Sequence, residues 1–68
     1  MKYEAVKIGE NSGKIWEALN TEGALSLKAL EEKTGVKKDE LLLAVGWLMK
    51  EEKVAGKKEG RTEVLYLK

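Results

Sequence analysis

LKALEEKTGVKKDELLLAVGWLMKEEKV, residues 27–54, decides how this chain folds. Ser26, just before it, is a suitable N-cap for a helix from Leu27 to Lys33, with Leu27 and Leu30 facing inward and Gly35 supplying a left-handed stop. Val36 opens a tight turn, and a longer helix follows from about Lys38 to Glu52. Its segment KKDELLLAVGWLMKEEK, residues 37–53, is apolar nearly all round. The helical period turns Val36, Leu41, Ala44, Val45 and Leu48 to one side. Leu43, Gly46, Trp47 and Lys50 then project to the other, with Leu42 and Met49 on a flank. A helix with apolar residues on both sides is covered on more than one side.

Upstream, Ile8, Ile15 and Leu19, with Ser12 and Trp16 alongside, keep helical spacing, and Asn20-Thr21-Glu22-Gly23 ends that helix. Gly9 and Gly13 each weaken it by roughly 1 kcal/mol relative to alanine. They lie four apart, on one face, where small residues would let another backbone approach closely. Residues 1–8 (MKYEAVKI) fit a short strand, an arm or the start of this helix. Ala24-Leu25-Ser26 is long enough only for a β-bridge. Downstream, the charged, turn-rich run Gly56 to Arg61 precedes TEVLYL at 62–67, which alternates in part, Val64 and Tyr66 against Leu65 and Leu67. This is a β-hairpin with its tip near Glu59-Gly60.

Sixty-eight residues make a single domain, 1–68, near the lower limit of independent stability. With no cysteine and no histidine, disulfides, thiolate chemistry and His-containing metal sites drop out. The longest apolar run, Leu41 to Met49, has nine residues, too few for a membrane span, and nothing resembles a signal peptide. A cytoplasmic protein with no membrane contact is expected. Thirteen basic and twelve acidic residues leave a net charge of +1, and Arg61 is the one arginine. A nucleic-acid binder usually collects a basic excess on one face; this composition holds none overall.

The order helix, short strand, helix, tight turn, helix, hairpin in residues 27–54 and around them resembles a winged helix-turn-helix. The matching features are the second helix, the Thr34-Gly35-Val36 turn, the recognition helix, and Lys53-Val54 opening the wing. More narrowly, GKIWEAL at 13–19 with AVGWL at 44–48 resembles a family of short free-standing winged-helix proteins of uncharacterised function. The resemblance spans nearly the whole chain and implies an α+β fold of three helices with a C-terminal β-hairpin wing. One position departs: Glu31 follows Leu30 where many DNA-binding members carry a small residue.

Fold does not fix function, so two roles are weighed from the residues. A DNA-reading helix offers arginine, asparagine, glutamine or serine to base edges; this one offers leucine, glycine and tryptophan. DNA contact would fall to Lys37 and Lys38 at the helix start and to Lys57, Lys58 and Arg61 on the wing, among the repelling Asp39, Glu40 and Glu59. Burial against a protein suits the face better. Covering Trp47 would remove roughly 150–250 Å² from water, worth about 4–6 kcal/mol as an upper bound, with about 1.5–3 kcal/mol more for Leu43. A two-fold dimer counts both twice, against an association cost of roughly 4–15 kcal/mol. The competing account tucks Trp47 under the wing or against residues 1–8 of its own chain. The expectation is a homodimer, or a complex with another protein, through Leu42, Leu43, Gly46, Trp47 and Lys50.

No enzyme is expected. Gly9 to Lys14 is one residue short of a phosphate-binding loop and lacks the Ser or Thr that follows the lysine. Glu31/Glu32 and Glu51/Glu52 are adjacent on a helix and diverge by about 100°. No nucleophile has a matching base, and no cofactor motif is present. Trp16 reads as an edge-of-core residue, or as part of a partner surface with Gly9 and Gly13. Tyr66 reads as a packing residue of the hairpin.

Overall fold

Where each helix stops explains how the elements come to lie together. The computed structural model describes residues 5–68. Helix α1 (Ala5–Glu22) ends at Gly23, whose φ of 86° turns the chain as its N–H bonds the Leu19 carbonyl. Strand β1 (Leu25–Ser26) leads directly into α2 (Leu27–Thr34), capped by the Ser26 hydroxyl, which accepts from the Ala29 N–H at 3.2 Å. Gly35, at φ 71°, closes α2. Thr34 ties the turn: its Oγ1 donates to the Leu30 carbonyl at 2.6 Å and accepts from the Val36 N–H at 3.2 Å. Helix α3 (Lys38–Lys50) follows, then strands β2 (Val54–Glu59) and β3 (Thr62–Leu67).

Helix α3 ends two residues earlier than its periodicity suggests, through a paired closure of its last carbonyls. The Glu52 N–H bonds the Met49 carbonyl and the Lys53 N–H bonds that of Leu48, both near 3.0 Å. That is a Schellman motif, and its left-handed position, usually glycine, holds Glu52 at φ 57°. The wing turns one residue later than expected, at Gly60-Arg61, between the paired residues Glu59 and Thr62. Gly60 supplies the positive φ of 63° at the first central position, where a two-residue hairpin of the II′ kind needs it.

The sheet is antiparallel in the order β1-β3-β2, with Leu25 opposite Leu65 and Val54 opposite Leu67. Its helix-facing side joins Ile15, Leu19, Leu30, Val36, Leu41, Ala44, Val45 and Leu48 in one core, which also takes in Val54 and Leu65. Leu67 packs at its edge. Val64 is buried too, on the opposite face, where Ser26 and Lys57 flank it across the strands. Residues 5–8 belong to α1, not to a strand or an arm, and residues 1–4 lie outside those described. The fold is that of a winged helix-turn-helix, three helices and a C-terminal hairpin wing, with β1 as the third strand.

Candidate functional site

Thirteen residues of α3 at 100° each put Leu41, Ala44, Val45 and Leu48 into the core and leave Leu43, Gly46 and Lys50 at the centre of the outer side. Trp47 flanks that centre toward α1, and Leu42 and Met49 flank it toward the wing, where the Met49 methyl lies close to Gly56 of β2. Trp47 is 47% exposed, Leu42 45%, Met49 43% and Leu43 39%. Four large apolar side chains on one short helix thus remain open to water. The Lys50 ammonium lies 5.6 Å from the centre of the Trp47 ring, a cation–π contact that stretches its stem along the same surface. Sequence reasoning placed all five of Leu42, Leu43, Gly46, Trp47 and Lys50 outside the core, and there the structure puts them.

Between α1 and α3 runs a groove of about 440 Å³. Gly9, Ser12, Gly13 and Trp16 form its α1 side, and Trp47 and Glu51 its α3 side. A smaller hollow of about 140 Å³ lies between Trp47 and the α1 residues Ala5, Ile8 and Gly9. Trp47 therefore leans toward the first turns of α1, yet nearly half of it stays open. Trp16, 39% exposed, extends the apolar surface onto α1 and was not among the expected interface residues. Its signal was its register with Gly9 and Gly13 on one helical face. Among the described residues those glycines are not required by packing: a Cβ at Gly9, Gly13 or Gly46 would meet nothing within 4 Å. The room that Gly9 and Gly13 leave for another backbone is not taken up by any described residue of this chain.

The basic residues form two groups with different freedom. Lys37 occupies the N-cap of α3 in extended conformation with no side-chain cap bond, and Lys38 begins the helix; both are exposed. Asp39 and Glu40 occupy the same first turn, where the helix dipole favours negative charge. On the wing, Lys57 is engaged: its ammonium lies 3.6 Å from Glu59 Oε2 and 5.3 Å from the Tyr66 ring centre. Lys58 stands opposite Glu63 in the strand register, and Arg61 sits in the turn. Gly9 to Lys14 is continuous helix, so no phosphate-cradling loop exists there. Among the described residues no group of three or more Asp or Glu is placed to hold a metal ion, and no helix is long and apolar enough to cross a membrane.

The winged helix-turn-helix domain family DUF2582 matches residues 1–67. A protein of Bacteroides thetaiotaomicron, solved by NMR in solution, is 34% identical over 90% of this chain and 74% of its own, with a TM-score of 0.80. The Zalpha domain of Carassius auratus PKZ, solved in complex with Z-DNA, shares the fold at 18% identity, with a TM-score of 0.78 over 90% of this chain and 97% of that one. No curated protein matches the chain.

Proposed function

We propose that this chain, which belongs to the winged helix-turn-helix domain family DUF2582, works as a non-catalytic interaction module that pairs with a second copy of itself through the outer face of α3. The observation that carries this reading is the composition of that face: Leu42, Leu43, Trp47 and Met49 stand open, and the only polar side chains of the helix are Lys38, Asp39, Glu40 and Lys50. Base edges need hydrogen-bonding partners, and leucine and tryptophan offer little to them. Water is the costly neighbour for these groups. Covering the open part of Trp47, about 100 Å², gives about 2.5 kcal/mol, and the three other side chains, about 200 Å², add about 5 kcal/mol together. Two copies double this to about 15 kcal/mol as an upper bound, against roughly 4–15 kcal/mol for association.

Molecular mass measured by light scattering through a dilution series tests the reading. The wild-type chain should approach twice 7.6 kDa on concentration, and Trp47→Glu should hold it at the monomer mass. An unchanged mass in Trp47→Glu sinks the idea.

A second reading rests on the uncapped Lys37 with Lys38 and on Arg61 at the wing tip. The domain also shares its fold with a protein solved on Z-DNA. In this reading α3 approaches the phosphate backbone by its N-terminus, Lys58 and Arg61 steady the wing, and Lys57 contributes less because Glu59 and Tyr66 hold it. Affinity for duplex DNA should then fall steeply with salt as counterions are released, and no binding at low salt would exclude it.

A further inference from the structure

We infer that the dimer interface crosses the groove onto α1, so that the α3 ridge of each copy, Leu43 and Gly46 foremost, lies over Gly9 and Gly13 of the other, between Trp16 and Trp47. This rests on the homodimer reading above. The face of α3 alone is small: its four open side chains expose about 300 Å² per copy, or about 600 Å² for a pair, whereas specific interfaces bury roughly 1,200–2,000 Å². Among the described residues apolar surface continues from it across the groove, where Trp16 is 39% exposed and the 440 Å³ channel separates it from Trp47. A two-fold axis makes the two partners' surfaces identical, so a ridge on each copy needs a channel on the same copy to receive its counterpart. The α3 ridge and the α1–α3 groove lie side by side and meet that condition.

The groove floor supports the same occupant. Ser12 is 6% exposed there, and its hydroxyl donates to the Ala44 carbonyl at 3.5 Å, beyond the usual 2.5–3.0 Å for such a bond. Ser12 lines the channel itself. Glycine within a helix weakens it, and among the described residues no close neighbour requires Gly9 or Gly13, since a methyl group at either would meet nothing within 4 Å. A second helix laid on them would give that space a tenant.

The test exploits opposite signs. Gly9→Ala with Gly13→Ala should raise the melting temperature of the monomer, measured in the Trp47→Glu background, because alanine favours the helix. In the otherwise wild-type chain the same pair should weaken dimerisation at least tenfold by sedimentation equilibrium, because two methyl groups would meet the partner's backbone. Unchanged or tighter dimerisation overturns the inference. If Trp47→Glu dissociates the dimer while the glycine pair does not, the α3 interface stands and its extension onto α1 falls. If the wild-type chain is monomeric throughout, both fall.

Discussion

Glu52 holds a backbone conformation that costs an L-residue roughly 1–2 kcal/mol, and its side chain recovers little of it. The carboxylate meets the Lys68 ammonium at 3.9 Å in open solvent, and exposed pairs of this kind contribute about 0–1 kcal/mol. Glu52→Gly should therefore raise stability by about 0.5–1 kcal/mol, the strain relief less the entropy that glycine gives the unfolded chain. Urea denaturation reads this as a higher midpoint at constant slope, and a lower midpoint would contradict it. Leu41 is fully buried, and truncating such a leucine costs about 2–5 kcal/mol. A domain of this size holds about 3–5 kcal/mol in all, so Leu41→Ala should lose most of its helical circular dichroism at 37 °C. Glycine stops at Gly23 and Gly35 could be read from the residue type, because the left-handed region favours glycine. Glu52 could not, since nothing in a glutamate marks it for that region. The burial of Asn11 was equally hidden: polar side chains read as solvated until neighbours are known.

Each connection in the middle of the chain depends on a hydroxyl or its absence. Ser26 both ends β1, opposite Val64, and caps α2. Ser26→Ala should cost about 0.5–2 kcal/mol, seen as a lower melting temperature. Helix α3 has no such cap, because Lys37 offers no acceptor, and the Glu40 N–H is met instead by Asp39 Oδ1 at 2.9 Å. Lys37→Asp supplies an acceptor and a charge that suits the helix dipole, and should stabilise by about 0.5–2 kcal/mol. If the lysine serves phosphate, the same change should raise the melting temperature while lowering DNA affinity. Element order was legible because apolar spacing changes from the helical period to alternation after Val54. Element ends were less so. The true end of α3 and the turn at Gly60-Arg61 depend on backbone closures that hydrophobic spacing does not encode.

Across the whole molecule, the two proposed roles respond differently to salt. Association through Leu43, Trp47 and Trp16 is driven by apolar burial and should change little between about 50 and 200 mM salt. Binding through several phosphate contacts would fall by orders of magnitude over the same range. Sedimentation equilibrium at both ionic strengths distinguishes them, and a salt-sensitive dimer would count against an apolar interface. That α3 has an uncovered apolar face follows from its periodicity alone. What covers it does not, because one chain's sequence carries no register with another's surface, and Trp16 fits either the core edge or a partner surface until its neighbour across the groove is known. The sheet order has a further effect, on the sequence of events at synthesis. Strands β1 and β2 meet only through β3, the last of the three to be made. A nascent chain ending at Glu59 has two strands and no sheet, with the helices left to shelter their own apolar faces until Thr62 to Leu67 arrive. A stop codon before Thr62 would therefore not shorten a wing. It would leave β1 and β2 without the strand that joins them.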